Sequence, residues 1–193
     1  MSSMIAPVAE SDVLRAIGNR RSIYSFAPRP VGEDDLILAL DLAVRAPNHR
    51  LTRPWRFGVF LGEGRYRLAD ALGAASTRLG LPVGKARRTA LLAPAVVCAG
   101  VAPQLDRPKV VEHEECYAVA AAIENLVLAL HARGIGSLWT TGASADTSEV
   151  RALLGLNGPH DHMIAIVLIG YPAPDNRLIS RTIDHTTFTT WHR

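Results

Sequence analysis

The sequence predicts a mixed α/β or α+β sandwich, and three observations lead there. Two runs of strand length, Ala95 to Val101 and Met163 to Tyr171, are apolar throughout, as strands covered on both faces must be. Helical patterns surround them in irregular alternation, which argues against a regular β-α-β series. No Gly-x-Gly-x-x-Gly turn and no Gly-x-x-x-x-Gly-Lys loop occurs, so dinucleotide-binding and ATP-hydrolysing versions of the α/β plan lose their main support. The 193 residues suffice for a sizeable core and fit a single domain, expected to span 1–193 with a flexible tail over 1–10.

Taken in chain order, Ser11 is placed to cap a short helix running to about Asn19, with Val13, Leu14 and Ile17 at spacings of three and four. A second helix starts after Gly32, where Glu33, Asp34 and Asp35 suit the positive end of the helix dipole and Val31 and Leu36 can form a hydrophobic staple. Leu36, Leu40, Ala43 and Val44 form its expected inner face, and Pro47 follows its end, leaving Arg45 and His49 at the helix exit. Trp55 to Leu61 reads as a strand between Pro54 and Gly62, followed by a weaker helix from about Arg65. Gly73 to Arg88 mixes Gly, Pro, Ser and basic residues without a firm period, and a loop-rich or lid-like insertion is expected there. The clearest helix runs from about Glu112 to Arg133. It is apolar on nearly every side, as befits a helix in the core or between subunits. Ser137 to Thr141 reads as a short strand, Asp146 to Leu154 as a small helix, and a polar tail begins after Pro172.

Composition narrows the function classes. With 48% apolar and 20% charged residues the chain is ordinary for a compact globular protein. The longest apolar run, Leu91 to Pro103, is broken by Pro94 and Gly100 and is too short to span a bilayer, and no secretory signal pattern precedes residue 10. A cytoplasmic location is the expectation, with no membrane partner. Cys98 and Cys116 belong to no Cys-x-x-Cys pair, and both read as small buried side chains. Of the 21 basic residues 19 are Arg, yet they are scattered and the net charge is only +3, so no nucleic-acid-binding stripe is visible. His160-Asp161-His162 has the look of a metal cluster, but it sits in a Gly-Pro loop without a thiolate or further carboxylate, and no metal is expected.

The chemistry concentrates elsewhere. Arg20-Arg21-Ser22 offers two guanidinium forks and a hydroxyl, the donors that suit a phosphate monoester. Alone, two adjacent arginines are usually solvated. Some 25 residues later stands Ala46-Pro47, a polar loop containing His49, and Pro54-Trp55 leading into a strand. Further on come Gly134-Ile135-Gly136-Ser137-Leu138-Trp139-Thr140-Thr141-Gly142 and Ile169-Gly170-Tyr171-Pro172. This set, from about Val13 to Trp191, resembles the nitroreductase family, and within it the small single-domain branch that carries His in that loop.

The resemblance implies an α+β three-layer fold with a central, mostly antiparallel sheet flanked by helices, and a homodimer holding FMN at the subunit boundary. It implies that Arg20 and Ser22 hold the FMN phosphate with contacts from Arg21, that Arg45 and His49 lie beside the ribityl chain and ring, and that Trp139, Thr140 and Thr141 line the flavin from the opposite side. The chain departs from the family at Tyr24, where many members carry a cation near the pyrimidine end of the flavin, at Arg53, commonly Gln, and at Thr140, where near relatives are basic. The implied activity is an FMN-dependent oxidoreductase with NAD(P)H as cosubstrate and an electron-poor small molecule, a nitroarene or quinone, as acceptor. Flavin performs the hydride chemistry, so no catalytic acid or base is expected of the protein, and ping-pong kinetics follow. Alternatives are a flavin-binding module without turnover, flavin cleavage and reductive dehalogenation.

Overall fold

The computed structural model describes residues 12–177 and 184–192. The expected cap at Ser11 and the tail over 1–10 lie outside the described residues. Four strands, β1 (Trp55–Leu61), β2 (Ala95–Val101), β3 (Gly136–Thr140) and β4 (His162–Gly170), pair antiparallel in the order β1-β2-β4-β3. The two apolar runs are therefore the central pair. Their register shifts between Ala99 and Gly100, and glycine is required at the shift because a Cβ on Gly100 would lie 2.4 Å from Leu156 Cδ1 and 3.0 Å from the His162 carbonyl.

Strand alternation divides the core in two. Ala95, Val97, Ala99 and Val101 of β2 face one helical layer, formed by α2 (Glu33–Ala43) and α5 (Glu112–Ala132), where Leu36, Ala39, Ile123, Leu126 and Leu130 are buried. Val96 and Cys98 face the other layer, formed by α3 (Gly64–Arg78), α4 (Val83–Leu91) and α6 (Ser148–Arg151), with Leu68, Leu72, Ala90 and Val150. The result is the three-layer α+β arrangement. Each fully buried leucine contributes about 1.5–3 kcal/mol. The remaining helix, α1 (Asp12–Asn19), has no buried residue, and Val13 and Ile17 are 65% and 58% exposed.

By length and composition alone α5 could cross a membrane, with a mean hydropathy of 1.3 over its apolar window. Its buried face is instead packed on the sheet, and its first turn carries the fully buried Glu115. That is a core helix. Burial pushes the Cys98 thiol up to about 12 and also raises that of Cys116, where Glu112 and Glu115 add to the effect, so neither cysteine is a ready thiolate.

Three expectations need correction. Gly73 to Arg88 is not a loop-rich insertion or lid: the segment is the end of α3, a four-residue turn and the start of α4. Its glycines and proline punctuate helices. Gly73 stands where α4 comes close, a Cβ there lying 3.2 Å from Arg87 Cγ. Gly80, at φ +66°, ends α3 in a Schellman turn, with Gly80 N donating to Thr77 O and Leu81 N to Ser76 O, and Pro82 precedes α4. Val44 lies at the C-cap of α2 and is exposed, while Ala39 takes the buried place on the inner face. The small helix from Asp146 is shorter, α6 followed by a 3₁₀ turn over Ala152–Leu154 that ends at Gly155 with φ 69°.

Candidate functional site

Arg20, Arg21 and Ser22 leave α1 and run alongside the start of β3. Ser22 bridges Ser137 in parallel, and Ile23 N donates to Ser137 O at 3.0 Å. Such close passage requires Gly136, since a Cβ there would meet Ile23 Cγ1 at 2.4 Å. Two segments more than a hundred residues apart are thus locked side by side. Arg20 is mostly covered, with 17% of its side chain exposed, and lies 3.5 Å from Glu124 of α5. Arg21 donates to the carbonyls of Gly18 and Arg20 at 2.7 and 2.9 Å, which fixes one arm of its fork.

A third basic group joins them. His131, in the last turn of α5, has its pKa lowered from 6.5 by burial and by the charges of Arg20 and Arg21. The charges of Arg20 and Arg21 thus both reach His131, which gathers three basic side chains, with Glu124 beside Arg20 as a counter-charge. Sequence reasoning missed His131 because it reads simply as a cation at a helix C-terminus.

Trp139, Thr140 and Thr141 lie at the other end of β3. Trp139 is 39% exposed, Thr141 is exposed, and Thr140 Oγ1 donates to the Thr141 carbonyl at 3.3 Å. From the Ser22–Ser137 bridge to Thr140 is about 10 Å along the strand. Beyond it opens a cavity of about 350 Å³ between α3, α4 and the loop after β3, lined among others by Leu72, Ser76, Lys85, Thr89, Thr140 and Thr141. The volume is that of a small-molecule site. Ser76, 1% exposed, has no hydrogen-bond partner for its Oγ among the described residues. Leaving a buried hydroxyl unsatisfied costs about 1–3 kcal/mol, and in a native fold such an atom calls for a partner.

Tyr24 stands away from this cavity. Its backbone N–H donates to Asn176 Oδ1 at 3.0 Å and its side chain is 53% exposed. Arg29 stacks on Tyr171 at 3.8 Å, which helps hold the 20–30 segment against the end of β4.

Arg45 and His49 form a separate group. Both are exposed, Arg45 just past α2 and His49 opening a 3₁₀ turn over His49–Leu51. The backbone here is strained: Arg50, Leu51 and Arg53 have φ of 59°, 51° and 53°, at an order of 1–3 kcal/mol each. A buried latch holds it. Thr52 Oγ1 donates to Glu115 Oε1 at 2.6 Å, Asn48 Nδ2 to Thr52 Oγ1 at 2.8 Å, Arg53 N to Asn48 Oδ1 at 2.6 Å, and Gln104 N to Glu115 Oε2 at 3.3 Å. Glu115 and Glu124 are nine residues apart on α5, about 14 Å. Among the described residues no hydrogen bond or ion pair joins Arg45 or His49 to the Arg20–Ser22 or Trp139–Thr141 groups.

The histidines of the Gly-Pro loop have local partners: His160 Nδ1 lies 3.7 Å from Glu112 Oε2, and His162 Nε2 lies 3.4 Å from Cys116 Sγ. Among the described residues no group of three or more metal-ligating side chains is gathered.

Fold and site together define a class: a three-layer α+β protein whose basic cluster and cavity lie at the two ends of one edge strand. Residues 17–171 match the model of the nitroreductase family. The YdjA protein of Escherichia coli strain K12, named for an expected NAD(P)H nitroreductase activity, is 30% identical over 184 residues, covering 93% of this chain and 99% of its own. A nitroreductase-like family protein from Bacillus cereus superposes with a TM-score of 0.80 at 25% identity, covering 97% of this chain and 99% of its own. A Bacteroides fragilis nitroreductase solved with bound FMN gives 0.71 at 26% identity, covering 94% of this chain and all of its own, 100%. The chain belongs to the nitroreductase family.

Proposed function

We propose that the protein is an FMN-dependent NAD(P)H oxidoreductase of the nitroreductase type, acting on an electron-poor small molecule such as a nitroarene or quinone. The observation that carries this reading is the pairing of Arg20, Arg21 and His131 at one end of β3 with the cavity at its other end. Arg20 and Ser22 hold the phosphate, with Arg21 and His131 adding positive potential. Trp139, Thr140 and Thr141 line the flavin, whose phosphate-to-ring separation is commensurate with the length of β3. Support from known proteins is that the Bacteroides fragilis relative is described with bound FMN and the Escherichia coli one is named for NAD(P)H.

When bound, FMN supplies the hydride chemistry, accepting from NAD(P)H and returning electrons to the acceptor. The chain's own part is to bind, orient and exclude water. Buried Leu72 and Ile166 make one side of the cavity dry, so charges at its rim act through a lower dielectric than in water. Arg45 and His49 are exposed and apart from the phosphate group, which fits their contribution to the site of a second copy. The exposed Val13 and Ile17 of α1, together with Ile37, Leu42 and Tyr117 on α2 and α5, offer the apolar surface for that homodimer. The reading places the protein in the cytoplasm.

Donor and acceptor using one site in turn give parallel lines in double-reciprocal plots over a range of fixed acceptor concentrations. Intersecting lines would reject the ping-pong scheme. Single-turnover mixing with NADPH or NADH separates the enzyme from a flavin module without turnover: the enzyme loses flavin absorbance, the module retains it.

A further inference from the structure

Among the described residues, every non-glycine position with positive φ lies in one of two loops. Arg50, Leu51 and Arg53 stand in the turn before β1, at φ of 59°, 51° and 53°, and Lys109 in the loop after β2, at φ 65°. Such backbone is costly for residues with a side chain, and it collects at ligand clamps. Arg50, Arg107, Pro108 and Lys109 from these two loops line a single pocket of about 420 Å³, open to solvent. We propose that Arg50, Arg107 and Lys109 form a second anion site, one that takes a phosphomonoester, and that its occupant is the 2′-phosphate of NADPH. This rests on the oxidoreductase reading above and deepens it by naming the preferred nicotinamide nucleotide.

The lining of the pocket holds three cations and no carboxylate. Among the described residues no ion pair reaches any of the three, whereas Arg78, Arg87 and Arg133 are tied to Glu149, Asp70 and Asp35. Asp106 in the same loop makes no ion pair with them, and Glu112 at the start of α5 lies beside His160. The two walls are fastened to each other from below. Arg107 Nη1 donates to Gln104 Oε1 at 3.3 Å and Gln104 Nε2 to Thr52 O at 2.6 Å, while Gln104 N and Thr52 Oγ1 both donate to the buried Glu115. Pro108 stiffens the second wall between its two cations. Cations gathered on a fixed frame without a counter-charge attract an anion.

The chemistry of the donors selects which anion. A phosphomonoester carries about −1.5 to −2 charges near neutral pH and three acceptor oxygens, a match for two guanidinium forks and an ammonium. Position separates this site from the one at Arg20. The Glu115 latch and Glu124, beside Arg20, are about 14 Å apart along α5. Arg50 instead follows His49 directly in the chain, next to the group assigned above to the flavin site of a second copy. An arginine near the ribose is a general means of accommodating a 2′-phosphate. NADPH and NADH differ only in that group, so a pocket that reads it selects NADPH.

The test titrates FMN-reconstituted protein by calorimetry at low salt with adenosine 2′,5′-bisphosphate and with 5′-AMP, which lacks only the 2′-phosphate. Wild type should bind the bisphosphate about tenfold more tightly, the scale of one charged contact. The double variant Arg50→Gln/Lys109→Gln, whose two side chains are exposed, should bring the two nucleotides within about twofold of each other. Its ratio of kcat/KM for NADPH over NADH should fall about tenfold, through a higher KM for NADPH at similar kcat, as lost uniform binding requires. Arg50→Lys should retain more of the preference than Arg50→Gln. A wild type that binds the two nucleotides equally overturns the proposal, and if it also binds inorganic phosphate the pocket serves free phosphate instead. A double variant with the wild-type nucleotide ratio overturns it as well, and either result leaves FMN binding standing. A wild type that binds no FMN overturns the oxidoreductase reading and the assignment to NADPH with it.

Discussion

Replacing Arg20 with Ala removes the most enclosed guanidinium of the phosphate site. With only 17% of that side chain exposed, its contact to a phosphate is a charged hydrogen bond in a partly dry setting, worth about 1.5–3 kcal/mol. The dissociation constant for FMN should therefore rise roughly 10- to 150-fold. The fold should survive, since the partner Glu124 is half-exposed and such a pair is worth no more than about 1 kcal/mol. Titration by quenching of flavin fluorescence reads the effect, and riboflavin, which lacks the phosphate, is the control. Arg20→Ala should weaken FMN and leave riboflavin unchanged, and Arg20→Lys should fall between, keeping the charge but losing the fork. Equal losses for the two flavins, or none for FMN, would refute the assignment of the phosphate to this end of β3.

Other perturbations separate the parts of the account. Gly136→Ala places a Cβ 2.4 Å from Ile23 Cγ1. It should lower unfolding free energy in urea by about 1–3 kcal/mol and weaken FMN binding as well, because Ser22 is displaced with Ile23. Glu115→Ala strips the acceptor from Thr52, Asn48 and Gln104. A loss of about 2–4 kcal/mol in urea unfolding is expected, with the groups left unsatisfied each costing about 1–3. His131 offers a pH signature. Its lowered pKa means that the folded apoprotein takes up the proton later than the unfolded chain does, so its contribution is neutral well above pH 6.5 and destabilising as pH falls through 6.5. FMN phosphate should reverse the cause and raise that pKa, visible as an upward shift of the His131 ring titration in NMR, and a titration indifferent to FMN would place the phosphate elsewhere.

Much of the scaffold was legible because periodicity reports burial directly. β2, and β4 beyond His162, are apolar throughout because helices cover both faces, and α5 shows its burial in the recurrence of Val119, Ile123, Leu126 and Leu130. The region from Gly73 to Arg88 misled because glycine has more than one use: Gly73 marks the close approach of two helices and Gly80 a helix end. The polar Ser76 within the apolar stripe Leu68, Ala69, Leu72 and Ala75 was the available signal for a site on that helix. The phosphate segment and the Trp139 segment were each recognisable, but their meeting through Ser22 and Ser137 is a tertiary event with no local trace.

The central claim is that this chain holds FMN and passes electrons through it. An absorbance spectrum of the purified, FMN-reconstituted protein, taken anaerobically before and after NADPH or NADH, tests it most directly. The account predicts a yellow protein with bound-flavin absorbance that bleaches on adding at least one nicotinamide and recovers on adding a quinone. A protein that stays colourless after reconstitution, or whose bound flavin neither nicotinamide bleaches, would contradict it.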